Sequence, residues 1–238
     1  MTIARRNILG LIAASAATAL AGCGGGGGDG PSSRPVRVLN LNPDFPSADV
    51  TIRNTVVASI LPFKELTGPI EVAFGAYTIT FRDRTGFVPP ADFPNIPANE
   101  NSAIEVLYRN GISNTVGLQP LLENSPPFVI NLFDSIESLI VELEDEFGNV
   151  QRPEPELAFQ ASVAQSSWSR RCGLRVFRSS DLSVVYDSGP VLLARPRAIL
   201  LFPLSATFPF NPIFGRVGVM ALDYSGISAT AEVWPAIA

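Results

Sequence analysis

From Val36 onward the chain is built of short runs in which apolar and polar residues alternate, each closed by proline, glycine or asparagine. A period of two is the signature of half-buried β-strands. Tyr77, Ile79 and Phe81 share one face of such a run, while Thr78 and Thr80 take the other. Val36 to Ile52 reads as two strands around the turn chemistry of Asn42-Pro43-Asp44-Phe45-Pro46, and Pro69 to Phe81 as two strands hinged at Gly75. Ala103 to Tyr108 is a further strand, ending at the turn dipeptide Asn110-Gly111. No stretch of this half sustains a helical period. Arg34 to Ala238 is long enough for one large all-β domain or for two of about 100 residues each.

The second half echoes the first. Val129-Ile130-Asn131-Leu132 and Ser138-Leu139-Ile140-Val141 line up with Val38-Leu39-Asn40-Leu41 and Ser47-Ala48-Asp49-Val50 at a constant offset of 91. Leu157-Ala158-Phe159 echoes Leu61-Pro62-Phe63, and Phe177-Arg178 echoes Phe81-Arg82, at an offset of 96. The five-residue difference suits a loop between Glu144 and Glu156. These echoes read as a degenerate tandem repeat. One point conflicts with strand alternation: the later offset sets Leu174 and Val176 against Thr78 and Thr80, so either a bulge intervenes or the alignment there is one residue out. Beyond the turn at Asp187-Ser188-Gly189-Pro190, no charge falls between Arg197 and Arg216. Pro203, Pro209 and Pro212 forbid a spanning helix in that apolar stretch. It is expected to give one core strand, Ile199 to Phe202, and a proline-rich covering loop; the functional reading is an exposed patch of Phe208, Phe210 and Phe214. Val217 to Trp234 supplies the last two strands.

Val36-Arg37-Val38, Pro43-Asp44-Phe45-Pro46, Asp49-Val50 and Gly75-Ala76-Tyr77-Thr78-Ile79 together resemble the secreted bacterial and archaeal domain of unknown function numbered 4397. The resemblance covers Val36 to Tyr108. The family pattern is a Val-Arg-Val strand, a Ser-Pro-Asp-x-Pro turn, an Asp-Val strand and a later Pro-Ala-Gly-x-Tyr strand start. This chain departs from it at Asn40, where a histidine is usual, at Asn42 in place of serine, and at Lys64 and Pro69 in place of glycine and tyrosine. The resemblance implies an immunoglobulin-like or related sandwich, often in tandem and often on lipoproteins, and it implies no activity. The expected architecture is therefore all-β, with two immunoglobulin-like antiparallel β-sandwich domains at residues 34–125 and 126–238.

Ahead of these domains, Ile8 to Leu20 is a short apolar segment preceded by Arg5 and Arg6 and followed by Leu20-Ala21-Gly22-Cys23, the layout of a secretory signal. It falls short of the ~20 apolar residues of a spanning helix. Leu20, Ala21, Gly22 and Cys23 resemble the lipobox of bacterial lipoproteins, which implies a signal peptide over residues 1–22 and diacylation of Cys23. Gly24 after the cysteine looks like an outer-membrane destination in a diderm cell. Arg5-Arg6-Asn7-Ile8-Leu9 also looks like a twin-arginine export motif; two ordinary charges of a general secretory signal is the other reading. Two acyl chains anchor stably where one does not, at ~0.8 kcal/mol per buried methylene. Residues 23–33, dominated by Gly24 to Gly28, form a flexible tether with an r.m.s. reach of roughly 17 Å. The expected location is the cell envelope, with the membrane contacted through the N-terminal lipid.

The chain has no histidine, two cysteines, one lysine (Lys64) and a net charge of −5. Without histidine there is no Ser-His-Asp or Cys-His nucleophile and none of the usual zinc sets. The acidic balance argues against nucleic acid as a partner. With Cys23 lipidated, Cys172 is left alone, so no intramolecular disulfide forms; it is expected to be a small buried hydrophobe. Glu142, Glu144, Asp145 and Glu146, before Phe147-Gly148-Asn149, are the candidates for paired-carboxylate catalysis or Ca²⁺ binding, against a solvated hairpin end. Asp44 and Asp49 are expected to cap backbone N–H groups at turns. Trp168, Arg170 and Arg171 are a weak candidate for contact with a glycan or an anion. No catalytic residue, metal or cofactor is expected. The leading expectation is a non-catalytic binding or scaffolding module that acts on envelope proteins or glycans; the alternatives are a glycan-binding module, with Trp168 or Trp234 exposed, and a carboxylate-dependent hydrolase of envelope glycans.

Overall fold

Alternation sets where strands form, and the turns decide which sheet each strand joins. In the first half the computed structural model has β1 (Ser33–Asn40), β2 (Ser47–Ile52), β3 (Thr55–Pro62), β4 (Ile70–Ala73), β5 (Gly75–Asp83), β6 (Ala91–Ala98), β7 (Ile104–Tyr108) and β8 (Asn114–Leu118). In the second half it has β9 (Phe128–Asn131), β10 (Leu139–Asp145), β11 (Val150–Gln151), β12 (Ser162–Ala164), β13 (Arg171–Arg178), β14 (Val184–Leu192), β15 (Ala198–Pro203), β16 (Val217–Ser225) and β17 (Ser228–Trp234). The structure describes residues 33–98, 104–109, 114–118, 128–133, 138–145, 147–152, 156–164, 171–192, 198–204, 217–225 and 228–234. No helix occurs among them.

Each half is a sandwich of two sheets. The first pairs β4-β1-β7-β8 with β3-β2-β5-β6; the second pairs β12-β9-β15-β16-β17 with β11-β10-β13-β14. The strand order of the two halves matches one for one, with β17 as the single addition. Among the described residues all pairings are antiparallel except one in each half, β1 with β7 and β9 with β15. The sandwich class is the expected one. Its strand order is not that of an immunoglobulin constant domain, where the first, second, fifth and fourth strands share a sheet. Here β1 and β2 lie in different sheets, because the turn at Asn42–Pro46 carries the chain across the sandwich. Gly75, at φ 106, makes the same crossing between β4 and β5.

Two buried asparagines hold matching corners. Asn40 is fully buried; its amide donates to the carbonyls of Phe45 (2.8 Å) and Leu61 (3.3 Å), and its Oδ1 accepts from the N–H of Asn42 (3.1 Å). Asn131 is equally buried; its amide donates to the Leu157 carbonyl (2.9 Å) and its Oδ1 accepts from the N–H of Phe133 (2.9 Å). Their own carbonyls accept from the N–H groups of Lys64 and Gln160, both at 2.7 Å and both at positive φ. These contacts follow the offsets of 91 and 96 read from the sequence.

In β13 the offset differs from that reading. Ala48 faces Asp83 and Leu139 faces Arg178, so β13 lies 95 residues after β5 (178 − 83), and Phe177-Arg178 does not stand opposite Phe81-Arg82. Leu174 and Val176 take the places of Ile79 and Phe81, and all four are fully buried. The cause is the pleat: a one-residue slip would turn the apolar face of β13 to water.

Three apolar layers result. Val36, Val38, Val50, Ile79, Phe81 and Leu107 fill the first sandwich. Val129, Leu139, Val141, Leu174, Ile199 and Val219 fill the second. Between the sandwiches lies a third, in which Leu39, Leu41, Ile104, Val106 and Tyr108 meet Ile130, Leu132, Leu200, Phe202, Met220 and Leu222. The sheets containing β1 and β15 are therefore covered on both faces, and every residue of β7 and β15 is buried. This accounts for the unbroken apolar run of β15, since Ile199 and Leu201 feed one layer while Ala198, Leu200 and Phe202 feed the other. Gly218 is bare because the Phe202 ring lies on it; a Cβ there would come within 2.6 Å of the ring. Phe208, Phe210 and Phe214 lie outside the described residues.

Replacing either corner asparagine by alanine leaves buried backbone groups without partners, at about 1–3 kcal/mol each. Asn40→Ala and Asn131→Ala are each expected to lower unfolding free energy by about 2–4 kcal/mol. Denaturant titration of the two variants measures this, and the losses are expected to be similar.

Candidate functional site

On one side of the first sandwich β3 is the edge of the outer sheet and β4 the edge of the inner one. Between them the segment from Phe63 to Pro69 is tied down. Thr67 accepts the Val38 N–H on its hydroxyl (2.9 Å) and donates its own N–H to the Val38 carbonyl (2.9 Å). The Glu65 carbonyl accepts from the Asn40 N–H (3.1 Å). The gap left between this segment and β3 is an open groove of about 380 Å³. Its walls include Val57, Ala58 and Ile60 on one side and Leu66, Pro69 and Ile70 on the other, with Glu65 as its charged residue.

Ile60 stands out at this rim. It is 55% exposed and sits at φ 61, a region that a β-branched residue occupies only under strain. The Asp49 carboxylate holds it there by accepting the Ile60 N–H (3.0 Å), and Arg84 approaches the same oxygen at 3.3 Å. Asp49 thus caps a backbone N–H, as its place at the start of a strand suggested. The groove offers a mixed polar and apolar lining beside a sheet edge, which suits an extended segment.

A second cluster is closed to solvent. Arg34 on β1, Tyr77 on β5 and Glu105 on β7 meet inside the first sandwich at 5%, 3% and 6% exposure. Tyr77 donates its hydroxyl to Glu105 Oε1 (3.2 Å), and the carboxylate lies over Gly117 of β8, where a Cβ would stand 3.2 Å from it. Burial pushes the Glu105 carboxyl up to about 7, against the opposing effects of the Tyr77 hydroxyl and the Arg34 charge. Burial and the Glu105 charge raise the Tyr77 phenol, while burial lowers the Arg34 guanidinium. Sequence reasoning missed this trio; the available signal was a lone glutamate inside the apolar run Ile104-Glu105-Val106-Leu107-Tyr108.

The acids singled out from the sequence are engaged in the fold. Glu142 accepts from Nε and Nη2 of the Arg152 guanidinium, and Glu144 pairs with Arg175 at 3.4 Å. Asp145 caps its hairpin, accepting from the N–H groups of Phe147 (2.9 Å) and Asn149 (2.8 Å) and from the Asn149 amide (2.8 Å), which holds its carboxyl below the usual range. Glu146 lies outside the described residues. At the first corner the Asn42 Oδ1 accepts the Asp44 N–H (3.0 Å), and the Asp44 carboxylate faces Arg109 at 3.9 Å. Another buried carboxylate, Asp83, accepts from the N–H groups of Thr85, Phe87 and Val88 and from the Thr85 hydroxyl. Burial would raise it, but these bonds together bring it below the ordinary value.

Among the described residues no three histidine, cysteine or acidic side chains gather as metal ligands. No described helix is long and apolar enough to cross a membrane. Trp168, Arg170, Cys23 and Leu20–Gly22 lie outside the described residues. Arg171 opens β13 opposite Leu192, with Cys172 next to it opposite Val191, and Trp234 closes β17 opposite Val219. These three are placed by strand register.

Two measurements test this chemistry. An unfolded chain releases the Glu105 proton near the ordinary 4.5 and the folded one near 7. Between those values the folded state holds more protons, so stability falls as pH rises through the window. The carboxylates with lowered values, Asp83, Asp145 and Asp181, act below 3.8 and do not overlap it. Glu105→Gln is expected to flatten the stability profile between pH 5 and pH 7, read by thermal melts across pH. At the groove, Ile60→Asn tolerates the left-handed backbone and is expected to raise stability by about 0.5–1 kcal/mol, whereas Ile60→Val keeps the strain.

No curated protein matches the chain. Residues 35–127, which run from β1 past the end of β8, match the family model described as Domain of unknown function (DUF4397), and this part of the chain is a DUF4397 domain.

Proposed function

We propose that the protein is a lipid-anchored component of the cell envelope that works by holding a partner, without catalysing a reaction. The observation that carries the reading is Leu20-Ala21-Gly22-Cys23 followed at once by a glycine tract that ends at β1. A diacylated Cys23 holds the body within roughly 17 Å of the lipid by the reach of a ten-residue flexible chain. The outer membrane of a diderm cell is the membrane we favour, from Gly24 after the cysteine.

Several features support a binding role over a catalytic one. The described acids proposed as catalysts are committed to turns and ion pairs, and the buried Arg34–Tyr77–Glu105 cluster is nearly inaccessible. The open groove between β3 and the segment leading to β4 is the place we assign to a protein partner. We also propose that the second sandwich is a degenerate copy of the DUF4397 domain, on the strength of the shared strand order and the matching asparagine corners.

Expression in a diderm host, followed by membrane fractionation and intact-mass analysis, tests the anchor. The native chain is expected in the membrane fraction, with a mature N-terminal cysteine carrying the mass of a diacylglycerol. Cys23→Ala is expected to lose both. A soluble native chain, or one processed without added lipid mass, overturns the reading.

A further inference from the structure

The contact between the two sandwiches has a pattern that the sequence echoes alone do not require. Phe63, in the segment after β3, sets its ring edge-on to Phe202 of β15, with centroids 5.8 Å apart at 81°. Phe159, in the segment after β11, sets its ring edge-on to Tyr108 of β7, with centroids 6.2 Å apart at 67°. Phe63 and Phe159 occupy matching positions, each one residue before the positive-φ residue whose N–H donates to the corner asparagine. Tyr108 and Phe202 match as well. Asn40 faces Leu107 across the parallel pair of the first half, Asn131 faces Leu201 across that of the second, and Tyr108 and Phe202 are the next residues.

The two contacts are therefore reciprocal: an element of the first sandwich meets an element of the second, and the counterpart of the second meets the counterpart of the first. Reciprocity of this kind is the mark of an isologous, two-fold interface. We infer that the layer between the sandwiches is a dimer interface held within one chain, and that the partner the β4-β1-β7-β8 face is shaped to take is another sandwich of its own kind. This rests on the proposal that the second sandwich is a copy of the first.

The two contacts have diverged in one respect. At Tyr108 the hydroxyl accepts from the Gln160 side-chain amide at 2.7 Å. At Phe202 there is no hydroxyl, and the counterpart of Gln160 is Lys64, whose ammonium lies 5.2 Å from the centroid of the Phe63 ring. Phe202 is fully buried, so a residue at 64 decides whether a hydroxyl at 202 finds a partner.

Thermal melts of the full chain test the inference. Phe202→Tyr alone is expected to lower Tm by about 2–12 °C, the scale of one unpaired buried hydroxyl. Adding Lys64→Gln is expected to restore most of that loss, with a departure from additivity of the same sign and size as for Tyr108→Phe with Gln160→Lys. The fourfold exchange, Lys64→Gln, Phe202→Tyr, Tyr108→Phe and Gln160→Lys together, is expected to melt within about 2 °C of the native chain. Should Phe202→Tyr fail to fold, Tyr108→Phe with Gln160→Lys supplies the measurement, because it installs a pairing the chain already carries. Additive effects at positions 64 and 202, or a fourfold exchange that loses the sum of its mismatches, overturn the inference. Similar losses from Asn40→Ala and Asn131→Ala alongside additive contacts would leave the copy proposal standing and remove only the interface.

Discussion

The apolar layer between the sandwiches is the constraint on which the remainder of the chain depends. A sheet with one face on a core can leave polar residues on the other, but β1, β7 and β15 have no free face. Burying a large apolar side chain contributes about 1.5–3 kcal/mol, and this layer buries more than a dozen residues. The opposite faces of the same strands carry buried polar groups, Asn40 and Glu105 toward the first sandwich and Asn131 toward the second, where each needs its partners in place. The resemblance noted above has histidine where Asn40 stands. The corner needs a side chain that donates and accepts at once, which an amide does with no dependence on proton concentration.

Because the inner sheets are consumed, recognition of anything else is left to the outer sheets, the sandwich ends and the edges. The β3–β4 side combines, among the described residues, a sheet edge with an open groove of mixed lining, and edges of that kind are what extended partners add to. Ile60 marks the same place by its backbone. Strain that the Asp49 carboxylate keeps in being, at an exposed apolar residue, suits a surface selected for contact more than for stability.

Much of the fold was legible. The alternation of Tyr77, Ile79 and Phe81 marked β5, Gly75 marked a hinge between two strands, and the Ile199–Phe202 run marked a core strand. Leu174 and Val176 carried the signal that corrected the β13 offset, since side-chain alternation outranks a two-residue echo such as Phe-Arg. Other features had no local signal. A run buried on both faces does not say what covers the second face, so the layer between the sandwiches was invisible from either half alone. The Arg34–Tyr77–Glu105 cluster was equally hidden, because its members are far apart in the chain and only the crossing of β1, β5 and β7 brings them together. The Asn42 cap of the first corner also went unread, because only the turn geometry directs its Oδ1 at the Asp44 N–H.

The position of β1 has a mechanical consequence. It is an interior strand, flanked by β4 on one side and β7 on the other. Ser33 and Arg34 pair with Ala73 and Val72, and Arg37 to Asn40 pair with Ile104 to Leu107. Tension applied at Ser33 along the axis of this strand meets those pairings first. Two rows of hydrogen bonds then share the load in shear, where an edge strand would unzip one bond at a time. The corner at Asn40 sits at the far end of the same strand as a stop, so a body tugged from its N-terminal side resists as a unit.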